Sequence, residues 1–196
     1  TDAAGMKWVS GYPTNKALGI PYINGLLVLN DAATGVPLAV MDCVEITAAR
    51  TAAASGVCVR SWARSGWNRV AIIGCGEQGN YHAQMLLDLN PGSHIVGFDV
   101  DPQRAASLHG VAHVADSAAE ACADADIVIT TGPFLATPAP AVFLDMLRPD
   151  ALVLPVDVDS FVHPEVVNAS ELFLTDFREQ YDYFASHGTF RSEEHT

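Results

Sequence analysis

The chain has 196 residues, 49% hydrophobic and 17% charged, enough apolar material for a sizeable core and too much for a disordered polymer. Its formal net charge is −13, with only two lysines and eight arginines, and so acidic a surface excludes nucleic acid or an anionic membrane as an electrostatic partner. Cys43, Cys58, Cys75 and Cys122 are scattered without a CxxC pair, which fits free thiols in a reducing compartment rather than disulfides or zinc. No apolar run approaches the roughly 20 residues that span a bilayer, and no signal-peptide profile opens the chain. A cytoplasmic protein is therefore expected.

The first elements read as an antiparallel unit. Gly5 to Tyr12 is a strand carrying Lys7 and leading into a Gly/Pro turn. Tyr22–Leu29 and Val36–Met41 are apolar runs separated by Asn30-Asp31-Ala32-Ala33-Thr34-Gly35, whose turn chemistry predicts a hairpin. Glu45–Arg64 has helical length and many Ala, Gly and Ser positions, so it can lie close against a neighbour.

The pattern changes near Arg64–Trp67, dividing the chain into residues 1–64 and residues 65–190. From Asn68 strands alternate with helices, the rhythm of a parallel sheet. Strands are predicted at Val70–Ile73, Ile95–Asp99, Val111–Val114, Asp126–Thr130 and Leu152–Val156, with a sixth at Glu171–Leu174. Helices are predicted at Gln78–Leu89, Pro102–Leu108 and Ser117–Ala123, the first stopped by Asn90-Pro91-Gly92. The fold class expected is α/β, a Rossmann-type doubly wound parallel sheet beside part of a smaller α+β domain. Arg191–Thr196 has neither helix nor strand logic, and its six residues are those a widely used sequencing adapter would encode in frame. That tail is expected to be non-native, and both ends of the chain read as incomplete.

The strongest motif is Gly74-Cys75-Gly76-Glu77-Gln78-Gly79, set between a buried strand and a helix. In a dinucleotide fold the first glycine permits a tight turn, the second lets a pyrophosphate approach, and the third allows close helix packing. The helix N-terminus then offers unpaired amides and a positive dipole end to the phosphates. Asp99 ends the second strand, 20 residues beyond Gly79, where an acid accepts hydrogen bonds from the adenosine ribose. Asp99 and Asp101 would repel a 2′-phosphate, so NAD is expected in preference to NADP.

Other charged groups leave two explanations open. Arg50 lies inside the small-residue helix, either paired with a carboxylate or phosphate or simply solvated. Lys7 is either a substrate-site cation or an edge-protecting lysine. Asp157 and Asp159 follow the fifth strand, at the edge where open α/β sheets bind ligands; either can act as a general base, or both can be helix caps or face solvent. His109 and His113 have i, i+4 spacing, but Gly110 interrupts any helix and no third ligand follows, so no metal site is expected.

Taken together, Gly5-Met-Lys-Trp-Val-Ser-Gly-Tyr-Pro13, Gly25-Leu-Leu-Val-Leu-Asn-Asp31, Thr34-Gly35, Thr47-Ala-Ala-Arg50-Thr-Ala-Ala53 and the glycine loop resemble the ornithine cyclodeaminase/mu-crystallin family. The resemblance runs from about Gly5 to Glu165. It implies that residues 1–64 are part of a substrate-binding and dimerisation domain and that the intact protein is a homodimer. It implies that Lys7 holds the substrate carboxylate and that Arg50 reaches the cofactor phosphates or the nicotinamide side. Glu77 and Gln78 would present backbone to the pyrophosphate, and Thr131 and Gly132 would line the cofactor cleft. The catalytic aspartate would be Asp159, with Asp157 as second choice. Where the family shows Asp followed by Pro-Gly-Lys and an acid, this chain has Asp159-Ser160-Phe161-Val162-His163-Pro164-Glu165, a departure that counts against ornithine cyclisation.

Three activities follow from the resemblance. A cyclodeaminase would remove hydride from an amino-acid α-carbon, close a ring on the imine and lose ammonia, without net cofactor turnover. An amino-acid dehydrogenase or ketimine reductase would turn NADH over, acting on a small amino acid or cyclic imine. A crystallin-like relative would bind a dinucleotide or small ligand without catalysis.

Overall fold

The computed structural model describes residues 3–135, 137–158, 160–175 and 177–186, apart from the side chains at 13, 16, 184 and 185. The chain forms two compact units, Thr1–Thr51 and Ala52–Thr196. That division falls inside a helix, earlier than the change of sequence pattern near Arg64.

The first unit is an antiparallel sheet of β1 (Ala4–Gly11), β2 (Ile23–Asn30) and β3 (Pro37–Asp42), in that order. Asp31 closes the β2–β3 turn by accepting from the amides of Ala33 and Thr34 and from the Thr34 hydroxyl. Those hydrogen bonds, the hydroxyl's first, hold its carboxyl below the usual range. Register sets Trp8 opposite Leu26, Met6 opposite Val28, and Val28 opposite Val40, so these five share one face. Met6, Trp8, Leu26 and Val40 on that face are exposed. The helix α1 (Val44–Trp62) opens where the Asp42 carboxylate accepts from the Val44 amide.

The second unit is a five-stranded parallel sheet in the order β6-β5-β4-β7-β8. The strands are β4 (Arg69–Ile73), β5 (His94–Phe98), β6 (Val111–Val114), β7 (Ile127–Thr130) and β8 (Leu152–Pro155). Their helices are α2 (Glu77–Leu89), α3 (Pro102–Ala106), α4 (Ala118–Cys122), α5 (Pro164–Asn168) and α6 (Arg178–Ser186). Strand periodicity sends alternate residues to opposite faces. Val70, Ile72, Ile95, Ile127 and Ile129 pack with Val59, Ala83, Leu86, Ala105 and Leu108 from α1, α2, α3 and the turn after it. Ala71, Ile73, Val96 and Val128 pack with Ala118, Ala121 and Cys122 of α4 and Val166 of α5. Apolar runs buried on both sides are what a sheet with helices on each face requires, and the fold is the expected Rossmann type. The order reverses between β4 and β7, so a crevice opens at their carboxyl ends.

Glu171–Leu174 does not form the expected strand; the segment has no regular structure, and Leu172, Phe173 and Leu174 are exposed. Its apolar run carries strand propensity, but no strand among the described residues pairs with it, and an unpaired four-residue run gains no ladder. The tail Arg191–Thr196 lies outside the described residues.

The amino end of the sheet is closed by charge. Buried Asp126 accepts from the amides of Asn68 and Arg69 at 2.8 and 2.9 Å, while Arg148 and Arg64 approach its other oxygen at 2.7 and 3.4 Å. Burial alone would raise its pKa, but the two amides and the two guanidinium groups outweigh that and hold it below the ordinary value. Its stabilising contribution is therefore present above the unfolded carboxylate range and lost as pH falls through the lowered folded value. Asp126→Ala strands two amides, while Arg64 and Arg148 keep their pairing with Asp150. It is expected to destabilise the fold by about 2–4 kcal/mol, read as a lowered midpoint in urea denaturation at pH 7.

Candidate functional site

The carboxyl ends of β4 and β7 carry the glycine loop. Gly74 has φ +97°, which a side chain would resist, and its amide donates to Phe98 O at 2.8 Å. A Cβ on Gly79 would lie 2.5 Å from Gly74 O, so only glycine lets α2 seat this closely. A Cβ on Gly76 would meet nothing within 4 Å. Gly76 is also the N-cap of α2 and supplies no side-chain cap, leaving first-turn amides for another acceptor. The three glycines thus answer three constraints: a turn, an open approach and a close packing. A depression of about 580 Å³ lined by Phe143, Leu144, Asp145, Met146 and Glu165 shares no residue with this loop.

Asp99 follows β5 and is tied to the loop. One carboxylate oxygen accepts from the Cys75 amide at 2.8 Å and the other from the Asp101 amide at 2.9 Å. Asp101 caps α3 through the Gln103 amide, so of the two acids only Asp99 is bonded to the loop. Burial first, then the Asp99 charge, push the Cys75 thiol up to about 12. Cys75 is a packed thiol and no nucleophile.

Beside the loop, the ends of β7 and β8 form a buried polar cluster. The Thr131 hydroxyl donates to Gly74 O, and the Thr131 amide donates to Ile73 O at 2.8 Å. Asp157, 4% exposed, accepts from the Thr130 hydroxyl at 3.1 Å and from the Gly132 amide at 3.2 Å. Burial raises its pKa to about 6 against the opposing hydrogen bonds of Thr130, Gly132, its own amide and Phe161. The Cα face of Gly132 is covered by the Phe161 ring, with which any side chain there would collide. Val158 has φ +65°, a strained conformation for a β-branched residue. Asp159 lies outside the described residues.

Of the sequence candidates, the second unit brings together Gly74, Gly76, Gly79, Asp99, Thr131, Gly132 and Asp157. Glu77 and Gln78 open α2; Glu77 is exposed, and Gln78 Oε1 is buried with no hydrogen-bond partner among the described residues. Lys7 and Arg50 belong to the first unit. Lys7 Nζ donates to Thr47 Oγ1 at 3.0 Å, and that hydroxyl donates to Cys43 O. Arg50, one turn further along α1, is exposed. His113 pairs with Glu120 at 2.8 Å, and no cluster of metal-ligating side chains occurs among the described residues.

The sequence reading passed over Thr130 and Ser160, both buried here, and His82. His82 Nδ1 donates to Gln78 O at 2.7 Å and Nε2 accepts from Ser55 at 2.9 Å, and burial holds its pKa down. A histidine in the second turn of a glycine-loop helix was the available signal.

The model of the ornithine cyclodeaminase/mu-crystallin family matches residues 1–183. The chain belongs to this family. It is 38% identical to the nodulation efficiency protein NfeD of Rhizobium meliloti over 179 residues, which are 88% of this chain and 55% of that protein. Its structure resembles that of Thermococcus litoralis Δ1-pyrroline-2-carboxylate reductase in complex with NADH and L-proline, with a TM-score of 0.74 and 30% identity over 84% of this chain and 54% of that one. It also resembles an archaeal alanine dehydrogenase dimer with bound NAD, with a TM-score of 0.80 and 26% identity over 96% of this chain and 62% of that one. The chain spans about half the length of the curated relatives it matches.

Two glycine contrasts test the loop geometry. Gly79→Ala is expected to lower the melting temperature by several degrees, because the methyl meets backbone, whereas Gly76→Ala should leave it nearly unchanged. Val158→Gly should raise stability by about 1 kcal/mol through release of the left-handed strain, seen as a rise of roughly 2–4 °C on melting.

Proposed function

We propose that this chain binds NAD at Gly74–Gly79 and Asp99, as part of an enzyme that moves hydride to or from the carbon beside an amino-acid or imine carboxylate. The open space above Gly76, at an uncapped helix N-terminus, carries the reading, because it leaves room for a diphosphate against bare amides. Bound there, the nicotinamide supplies hydride acceptance or donation.

Each remaining role belongs to the chain. The amides after Gly76, presented by Glu77 and Gln78, hold the diphosphate, and the Asp99 carboxylate accepts from ribose hydroxyls. Its negative charge beside that of Asp101 disfavours a 2′-phosphate. Thr131 and Gly132 flank the cleft. By the family resemblance, Lys7 would hold the substrate carboxylate, Arg50 would serve the cofactor phosphates or the nicotinamide side, and Asp159 would move the proton. Preorganised placement of the α-carbon against the nicotinamide supplies much of the rate.

Among the activities of the family, we favour an amino-acid dehydrogenase or imine reductase. Ser160-Phe161-Val162-His163 stands where a cyclodeaminase shows Pro-Gly-Lys, and relatives named alanine dehydrogenase and Δ1-pyrroline-2-carboxylate reductase agree with that direction. The exposed apolar face of Met6, Trp8, Leu26 and Val40 supports a homodimer. No described helix is long and apolar enough to cross a membrane.

NADH titration by fluorescence tests the reading. The wild-type chain is expected to bind NADH more tightly than NADPH, Gly76→Ala to lose binding while keeping its melting temperature, and Asp99→Ala to bind weakly. Absence of NADH binding to the folded wild type overturns it. With amino acids and NAD, or cyclic imines and NADH, NADH absorbance should change, and any ammonia released should match the NADH formed. Lys7→Ala should abolish that turnover and leave NADH affinity nearly intact.

A further inference from the structure

We propose that Asp157 is a positioning residue of the dinucleotide loop: it clamps the end of β7 so that Thr131 holds Gly74 in its turn. The inference rests on the reading of the loop as the dinucleotide site and gives Asp157 a role distinct from proton transfer.

The contacts form a continuous chain. The Asp157 carboxylate takes the Thr130 hydroxyl on one oxygen and the Gly132 amide on the other. Between those two donors lies Thr131, whose hydroxyl bonds Gly74 O and whose amide bonds Ile73 O. Gly74 has no slack on this side: a Cβ there would lie 2.9 Å from both Gly132 N and Thr131 C. The carboxylate therefore fixes the residues on both sides of the one side chain that grips the first loop glycine.

Its surroundings suit a clamp better than a reacting base. Asp157 is 4% exposed, and its oxygens hold protein donors, which leaves the carboxylate little opening toward a substrate, whereas a proton-transfer group must come within hydrogen-bond reach of one. The groups that act on it are neutral: the Thr130 hydroxyl and the amides of Gly132, Phe161 and Asp157 itself. Next to it, Val158 is held at φ +65°. Such strain persists only where the surrounding contacts over-determine the backbone, and the clamp supplies those contacts. On the far side the Phe161 ring closes over Gly132.

Three variants of the 196-residue chain decide the matter. NADH affinity by fluorescence titration at pH 7.5 is measured beside melting temperature for wild type, Asp157→Ala, Asp157→Asn and Thr130→Val. Asp157→Ala should weaken NADH roughly tenfold, on the scale of coupling between sites, and Thr130→Val should weaken it in the same direction. Asp157→Asn, which keeps an acceptor oxygen, should recover part of the loss. Lowering the pH through 6 should weaken NADH binding to wild type and leave Asp157→Asn unaffected, because a protonated acid gives up an acceptor position. Folded Asp157→Ala with wild-type affinity overturns the clamp. If that variant fails to fold, wild-type affinity in Thr130→Val overturns it instead. Wild type that does not bind NADH removes the cofactor reading itself, and the clamp with it. Normal NADH affinity in all variants with loss of turnover in Asp157→Asn alone would make Asp157 a proton-transfer group.

Discussion

One carbonyl organises the second unit. Gly74 O accepts the Thr131 hydroxyl and lies so close to Gly79 that no side chain fits between them. Through that oxygen the end of β4, the end of β7 and the first turn of α2 are held together. The constraint explains why the turn needs φ +97° at Gly74 and why α2 points its amino end across the crevice. The parallel sheet supplies the position, since its strand order reverses between β4 and β7. The backbone supplies the chemistry, since the amides after Gly76 have no side-chain cap.

The two ends of the sheet use buried carboxylates in opposite ways. At the amino end Asp126 is compensated by two arginines and two amides, and it stays charged while it pins β4 to β7. At the carboxyl end Asp157 receives only neutral donors, and burial carries its pKa up to about 6. A cation beside Asp157 would steady that carboxylate and would also weaken the preference of nearby groups for a cationic partner. Neutral clamping leaves the crevice's charge pattern to the ligand. The same economy appears at Asp99, whose two oxygens take the amides of Cys75 and Asp101 while lone pairs remain for hydroxyl donors.

Much of this was legible in the residues because the signals were local. Val70–Ile73, Ile95–Asp99 and Asp126–Thr130 are short apolar runs between turn or helix signals, and each became a strand of the expected sheet to within a residue. The glycine string declared itself because three backbone constraints fall within six residues. What resisted was tertiary. Glu171–Leu174 has the composition of a strand, and composition cannot report that no described strand pairs with it. Arg50 in its small-residue helix was open between a paired and a solvated state, and spacing could not report that the position is exposed. Thr130 gave no sign of a partner 27 residues away. Nor could spacing separate Asp157 from Asp159. What spacing could not show is that Asp157 is buried among neutral donors beside a left-handed Val158.

The central claim is that bare loop amides meet a diphosphate, and amide chemical shifts of the ¹⁵N-labelled chain report on it directly. On adding NADH, the amides of Gly76, Glu77 and Gln78 should shift together and saturate with the ligand. Saturable shifts confined to residues outside this loop and the ends of β5 and β7 would contradict the account.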